Sequence, residues 1–152
     1  MGEDSRIIPI ESDLYIRKNL PQRYPFLFID KIKLLEPGKT IATIKNVTYS
    51  DCFGEPNKRF FPSEYLMEMF GQAAIILFYA DTMKNPDEIV PLFVGIESFD
   101  VSGTARAGDC VEAEATFEKV FSKATIMSGR AFVNGEEIAR AKFSAAFVSK
   151  PG

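Results

Sequence analysis

Hydrophobic and polar positions alternate along much of the chain, and one long segment breaks the alternation. Apolar and polar residues alternate over 111–118 and again over 139–147, a pattern typical of strands with one buried face. From 63 to 81, by contrast, apolar residues point in nearly every direction around a helical axis. A helix of that kind is buried on most sides. The pattern therefore predicts a long helix that is wrapped by a sheet.

Turn residues mark the ends of the strands. The segment 36–39 contains a proline followed by a glycine and predicts a tight turn between strands over 26–35 and 40–48. The Asn-Gly pair at 134–135 predicts a hairpin between a strand over 124–133 and the last strand. The sequence thus predicts hairpins on both sides of the long helix.

Helix-capping residues and one further strand complete the predicted order. Ser12 is predicted to cap a short helix over 13–19. Ser63 is predicted to be the N-cap of the long helix, with Glu64 in its first turn. Another strand is predicted over 90–101, directly after the long helix.

This order of elements predicts an α+β protein. It fits a single hotdog domain over 1–152, in which a curved antiparallel sheet wraps around one long central helix. Residues 1–11 have no periodicity and are predicted to form a partly ordered N-terminal arm. A small sheet leaves open edges, and pairing these edges in a homodimer would satisfy them.

Composition excludes several classes of function. The net charge is −3 and the basic residues are scattered, so nucleic acid is not a predicted partner. Cys52 and Cys110 lack metal-ligand spacing and the chain has no histidine, so no metal site is predicted. The most apolar run, 65–80, contains Glu68 and Gln72 and is shorter than the ~20 residues that span a bilayer. No signal peptide is visible, and we expect a soluble, cytoplasmic protein without a membrane partner.

Four blocks of sequence, spread over about 13–148, resemble one known family. They are Leu-Pro-Gln-Arg-Tyr-Pro-Phe-Leu-Phe-Ile-Asp at 20–30, Glu-Pro-Gly-Lys through Lys-Asn-Val-Thr at 36–48, the proline-containing loop and helix start at 55–72, and Phe-Val-Gly-Ile with Ala-Gly-Asp at 93–96 and 107–109. Together they are similar to the bacterial 3-hydroxyacyl-acyl-carrier-protein dehydratases. The resemblance implies the hotdog fold and a substrate that is an acyl thioester.

The resemblance also implies two catalytic positions. Glu68 falls on the family's catalytic carboxylate, and Gln22 stands where the resemblance places the catalytic histidine. An amide does not take up and return a proton near neutral pH, as imidazole does. Gln22 would either hold a thioester carbonyl or a water, or be a residue left behind after activity was lost. Without the family, Glu68 would be a buried carboxylate satisfied by the backbone or by Gln72, four residues later on the helix.

Further contacts are implied around these two positions. The predicted substrate-binding residues are Phe60, Phe61, Ser63, Glu64, Tyr65, Gln72 and Gly95. The backbone N–H groups at 63–65 would suit a developing oxyanion at a helix N-terminus. Lys58 and Arg59 would either meet an acidic acyl carrier protein or form an ordinary solvated face.

The cofactor and assembly follow from the same resemblance. No cofactor is predicted, since the phosphopantetheine arm of an acyl carrier protein, or coenzyme A, would enter as part of the substrate. The resemblance implies a homodimer or a trimer of dimers.

Three functions remain open at the level of sequence. Hydrolysis of an acyl thioester needs one carboxylate, and Glu68 would serve as its base. A non-catalytic acyl-binding protein, or a partner subunit of a dehydratase, needs no base at all. Dehydration of a 3-hydroxyacyl thioester needs two acid–base groups, and losing one typically costs about 10²–10⁴ in rate. The sequence therefore favours hydrolysis over efficient dehydration.

Overall fold

A computed structural model describes residues 12–82, 88–122 and 124–149, which form two α-helices, a short 3₁₀ helix at Tyr49–Asp51 and six strands. The elements are α1 (Ser12–Asn19), β1 (Lys31–Glu36), β2 (Thr40–Asn46), α2 (Ser63–Thr82), β3 (Ile89–Val101), β4 (Cys110–Val120), β5 (Ala124–Val133) and β6 (Glu136–Ser149). The predicted N-terminal arm at 1–11 lies outside the described residues.

The six strands form one antiparallel sheet in the order β1-β2-β4-β5-β6-β3. The strand β3 follows α2 directly in the chain but lies at one edge of the sheet, because β2 pairs with β4 rather than with β3. The sheet curves around α2, and the predicted α+β hotdog fold is confirmed. Asn134 and Gly135 have φ values of 52° and 80°, as the predicted two-residue hairpin turn requires.

The core lies between α2 and the concave face of the sheet. Met69, Phe70, Ile76 and Leu77 of α2 are fully buried. Phe70 lies directly over Gly129 of β5, where a Cβ atom would stand 2.5 Å from the Phe70 ring. Glycine at this position lets the helix approach the sheet closely.

Several predicted element boundaries are wrong. The helix α1 begins at Ser12, which was predicted to be its cap, and β2 ends at Asn46 rather than at 48. The first strand begins at Lys31 rather than at 26, because the backbone at 26–28 bonds to a side chain of α2 instead of a neighbouring strand. Ser63 is the first residue of α2 rather than its N-cap, and its hydroxyl donates to the carboxylate of Glu64.

The edge strand β3 is bent and apolar. Its pairing with β6 shifts register between Phe93 and Gly95, and again between Ile96 and Ser98. Phe93, Ile96 and the intervening Val94 are all more than half exposed in the single chain. Apolar side chains and unpaired backbone groups thus lie together on this edge. Among the described residues, no helix is long and apolar enough to cross a membrane.

Candidate functional site on the central helix

One stripe along α2 is only partly covered by the sheet, since Gly71 in its middle is buried beneath the ring of Phe93 while its two ends are exposed or partly exposed. Glu64, Glu68, Gly71, Ile75 and Phe78 follow each other at spacings of four, three, four and three residues, which places them on one face of the helix. The two carboxylates are exposed, and the side chains of positions 75 and 78 are partly exposed. The stripe is therefore acidic near the helix start and apolar farther on.

Glu68 lies at the acidic end of this stripe and is exposed in the single chain. The prediction that its carboxylate is buried is wrong for this chain alone, because the sheet does not cover this side of α2. An exposed carboxylate is available to a substrate or to a second protein chain.

Gln72 joins Glu68 to the segment before β1. Its Nε2 atom donates to Oε1 of Glu68 at 3.2 Å and to the carbonyl oxygen of Phe26 at 2.8 Å. Its Oε1 atom accepts the N–H of Phe28 at 2.9 Å. The amide is buried and fully engaged, so it acts as a fixed donor that orients the Glu68 carboxylate. Its predicted direct contact with substrate stays a prediction, and both of its N–H donors are already bonded within the chain.

Gln22 is partly buried, and its Oε1 atom is enclosed and has no hydrogen-bond partner in the part of the chain that the structure describes. No hydrogen bond among the described residues joins it to Glu68, so a single chain does not assemble these two side chains by direct contact. The neighbouring Arg23 donates to the carbonyl oxygens of Arg17, Leu20 and Gln22, and so fixes the end of α1.

An aromatic cluster lies beside the start of α2. The rings of Phe28 and Tyr65 stack with centroids 4.7 Å apart, and Phe61 meets Tyr65 edge-on at 5.5 Å. Phe61 is buried, so in this chain it supports the site from beneath rather than lining it. Phe53 meets Tyr65 at 6.2 Å and is exposed, and it forms the outer side of the cluster.

The remaining predicted contacts are spread around this cluster. The backbone N–H of Tyr65 is bonded to the carbonyl oxygen of Pro62, so it is not free for an oxyanion. Phe60 pairs with Phe53 in a short β-bridge. Gly95 lies on the exposed edge strand, away from the loop.

The loop before α2 is held by Arg59. Its guanidinium donates to the carbonyl oxygens of Tyr49, Cys52 and Gly54 and lies 4.1 Å from the centroid of the Tyr49 ring. Lys58 beside it is exposed. Arg59 therefore stabilises the loop, and of the predicted basic pair only Lys58 points to solvent.

An ion pair fixes the other end of this loop. Lys45 Nζ lies 3.2 Å from Oδ2 of Asp51, and both side chains are largely buried. Burial alone would raise the pKa of Asp51, but the hydrogen bonds from the N–H and hydroxyl of Thr48 and the charge of Lys45 outweigh burial and lower it. Burial raises the pKa of the neighbouring Cys52 thiol, so it is a protonated core residue rather than a nucleophile.

Comparison with known proteins supports the sequence-based assignment. A 3-hydroxyacyl-[acyl-carrier-protein] dehydratase FabZ from Syntrophotalea carbinolica is 33% identical over 140 residues, which cover 90% of this chain and 95% of the relative. A FabZ from Nitratidesulfovibrio vulgaris is 35% identical over 150 residues, which cover 95% and 97%. This chain belongs to the FabZ family. No family model matches the sequence.

Solved structures agree with the FabZ assignment at the level of fold. The dehydratase heterocomplex ApeI:P from Xenorhabdus doucetiae superposes with a TM-score of 0.72 at 12% identity, covering 90% of this chain and 91% of that one. A hypothetical thioesterase protein from Streptococcus pneumoniae, solved with coenzyme A, superposes with a TM-score of 0.65 at 10% identity, covering 80% and 88%. At identities this low, the superpositions establish the shared fold and nothing finer.

This FabZ-family chain contains no histidine at any position. That property holds for the entire sequence, whereas the replacement of a family histidine at residue 22 in particular stays a prediction. Among the described residues, no cluster of His, Cys, Asp and Glu could hold a metal ion. Glu68 is exposed and accepts a hydrogen bond from the buried amide of Gln72.

Proposed function

We propose that this protein binds acyl thioesters with the thioester group beside Glu68 and hydrolyses them. The observation that carries the proposal is the placement of Glu68, which is exposed on α2 and oriented by the buried amide of Gln72. A carboxylate held in this way needs little reorganisation to accept a proton from water.

Hydrolysis requires one proton-transferring group. Glu68 removes a proton from water while the water oxygen attacks the thioester carbonyl carbon, and the carbonyl π electrons move onto its oxygen. When the carbonyl re-forms, the C–S bond breaks and the electron pair leaves on sulfur. Glu68 then gives its proton to the thiolate, so the products are a carboxylic acid and a free thiol. The same carboxylate serves as base and then as acid.

Dehydration is less well supported because it moves two protons at separate positions. One group must remove the proton next to the carbonyl, and another must protonate the departing hydroxyl. A histidine is absent from this chain. A homo-oligomer adds further copies of the same residues and therefore supplies no imidazole.

A homodimer through β3 is part of this proposal. Val94, Ile96 and Phe93 expose apolar surface along an edge whose outer backbone groups have no partner strand in the described residues. Burial of such side chains against a second copy would remove them from water and satisfy the edge. The same contact would bring a second chain towards the partly exposed stripe of α2 that begins at Glu64.

A second candidate function is that of a subunit in a mixed dehydratase. The observation that favours it is the complete lack of histidine together with an available Glu68. A histidine-containing paralogue bound at the β3 edge would then supply the missing base. This arrangement predicts no activity for the isolated chain and activity for the mixture.

A single incubation separates these functions. The purified protein is mixed with saturated, enoyl and 3-hydroxyacyl thioesters, and thiol release and enoyl absorbance are followed together. Glu68→Gln is compared with Glu114→Gln, a matched change on the half-buried outer face of β4. Hydrolysis predicts thiol release that falls by about 10²–10⁴ in Glu68→Gln and persists in Glu114→Gln.

Other results would reject the proposal that Glu68 catalyses hydrolysis. Interconversion of enoyl and hydroxyacyl thioesters would show that one carboxylate suffices for dehydratase chemistry. If neither thiol release nor enoyl absorbance changes until a histidine-containing paralogue is added, the mixed enzyme would be established. Full thiol release in Glu68→Gln would remove Glu68 from the mechanism.

A further inference from the structure

Tyr65 places an aromatic ring and a hydroxyl about one helical turn before Glu68. Residues three apart on an α-helix are neighbours, with about 5–6 Å between their Cβ atoms. Helical side chains also lean towards the helix N-terminus, so the side chain of Glu68 lies over the turn that contains Tyr65. The two side chains therefore border the same space beside α2.

The ring of Tyr65 is held by three other aromatic rings. It stacks on Phe28 with centroids 4.7 Å apart and an interplanar angle of 25°. Phe61 and Phe53 meet it edge-on, at centroid distances of 5.5 Å and 6.2 Å. Phe28 and Phe61 are buried, so the ring rests against the core. Because these contacts hold the ring in one place, its hydroxyl has a defined position.

The same contacts connect Tyr65 to the carboxylate of Glu68. The N–H of Phe28, on which Tyr65 stacks, donates to Oε1 of Gln72 at 2.9 Å. Gln72 in turn donates from Nε2 to Oε1 of Glu68 at 3.2 Å. Packing and hydrogen bonds thus hold the ring, the amide and the carboxylate in one relative arrangement. Catalytic groups that are held before the substrate binds need little reorganisation during the reaction.

The hydroxyl of Tyr65 can bind a ligand. No hydrogen bond joins it to another residue in the described ranges, and its oxygen is not enclosed, since Tyr65 is partly exposed. Tyr79 on the same helix differs, because its buried hydroxyl donates to the carbonyl oxygen of Ile89 at 2.9 Å. The hydroxyl of Tyr79 therefore stabilises the start of β3, whereas that of Tyr65 makes no bond that the fold uses.

Other donors beside Glu68 are already engaged. The backbone N–H of Tyr65 bonds to the carbonyl oxygen of Pro62 at 3.0 Å. The amide nitrogen of Gln72 donates to two acceptors within the chain. Attack of water on a thioester places negative charge on the carbonyl oxygen, and a donor aimed at this oxygen stabilises the charge. The hydroxyl of Tyr65 is a donor that the chain leaves free for this purpose.

We propose that the hydroxyl of Tyr65 donates a hydrogen bond to the thioester carbonyl oxygen and stabilises the negative charge that develops there when water attacks. This inference rests on the proposed hydrolysis and adds a catalytic residue to it. Glu68 takes the proton from water, and Tyr65 holds the carbonyl oxygen of the same thioester. The hydroxyl keeps its own proton throughout, so the proton balance of the hydrolysis is unchanged.

Removal of this one hydroxyl tests the proposal. Tyr65→Phe keeps the ring and its aromatic contacts, so urea denaturation should give the same midpoint as for the unaltered protein. We expect kcat for thiol release to fall by about 10²–10³, as when one oxyanion donor is lost. KM should change little, because the bond is strongest in the transition state. Tyr24→Phe removes a hydroxyl from a residue that is 82% exposed and should leave both constants unchanged.

A second measurement does not depend on turnover. The probe is a ketone analogue of hexanoyl-N-acetylcysteamine, in which a methylene group replaces the sulfur and the carbonyl carbon carries a heavy isotope. Infrared difference spectra of the bound analogue report hydrogen bonding to its carbonyl, since a donor lowers the stretching frequency. We expect a lower frequency in the unaltered protein and in Tyr24→Phe than in Tyr65→Phe.

The outcomes separate this proposal from that of hydrolysis. Full kcat in Tyr65→Phe, or a carbonyl frequency that does not change in this variant, would overturn the role of the hydroxyl. Loss of activity in Tyr65→Leu but not in Tyr65→Phe would show that only the ring is needed, and would overturn it as well. A frequency shift that depends on Tyr65, without thiol release by the unaltered protein, would reject hydrolysis and keep Tyr65 as the residue that binds the carbonyl. An analogue that does not bind the unaltered protein would overturn both proposals.

Discussion

The Nε2 atom of Gln72 lies 3.2 Å from Oε1 of Glu68, one helical turn earlier, and the same nitrogen donates to the carbonyl oxygen of Phe26. One buried amide therefore holds both the candidate catalytic carboxylate and the chain that precedes β1. The two roles of Gln72 are physically linked, and a single substitution tests both.

Replacing Gln72 with methionine should damage fold and site together. The change keeps the approximate side-chain volume but leaves the N–H of Phe28 and the carbonyl of Phe26 without their partner. We expect the free energy of unfolding to fall by about 2–4 kcal/mol, because each unsatisfied buried group costs about 1–3 kcal/mol. Urea denaturation measures this loss. Glu68→Gln, which leaves the bonds of Gln72 to Phe26 and Phe28 in place, should lose much less, and equal losses would contradict the assigned bonds.

The ion pair between Lys45 and Asp51 should make stability depend on pH. Because the pKa of Asp51 is lowered on folding, its contribution is present above the ordinary value of 3.8 and is lost as the pH falls through the folded value. We expect Asp51→Asn to lose about 1–3 kcal/mol near neutral pH. The difference from the unaltered protein should shrink in acid, as followed by urea denaturation between neutral pH and pH ~3. A difference that is constant over this range would contradict the role of the charge.

Gly129 should not tolerate a methyl group. A Cβ atom there would lie 2.5 Å from the ring of Phe70, which is fully buried and has little room to move. We expect Gly129→Ala to cost about 1–3 kcal/mol through overpacking. Gly95→Ala is the control, since no atom lies within 4 Å of its added methyl. Thermal unfolding of the two variants should differ clearly, and similar midpoints would show that helix and sheet separate easily.

The exposed edge of β3 should determine the oligomeric state. Val94→Lys puts a charge on that edge, and in a symmetric dimer the change occurs twice. We expect the dissociation constant to rise at least ~100-fold, since burying each valine contributes about 1.5 kcal/mol or more. Leu14→Lys, at a similarly exposed position on α1, should leave assembly unchanged. Sedimentation velocity distinguishes the two, and a dimer that survives Val94→Lys would place the interface elsewhere.

Local patterns predicted the main elements because those elements depend on nearby residues. The apolar surface of α2 and the Asn134-Gly135 turn follow from helical periodicity and from backbone sterics. The start of β1 does not, since it depends on a hydrogen bond from the N–H of Phe28 to the side chain of Gln72, 44 residues apart in the chain. A strand that pairs with another strand and an extended segment that bonds to a side chain have the same local sequence pattern.

The candidate site was predictable in part. The resemblance identified Glu68 and Gln72, and both belong to one hydrogen-bonded unit. The exposure of Glu68 was not visible, because a helix that is apolar on nearly every side predicts burial all round. Which side chains of α2 stay exposed depends on how the strands pass over the helix, a property of the complete topology.

The two register shifts in β3 also bear on which strands its exposed edge can pair with. Each shift interrupts the regular spacing of backbone N–H and C=O groups along the edge. A flat foreign strand can follow such an edge for only a few residues, whereas a strand with the same bends can follow it throughout. Cross-β fibrils grow by stacking flat, in-register strands. The bends therefore leave the apolar edge available to a partner strand of matching shape. They make the edge a poor template for the stacking of flat strands into a fibril.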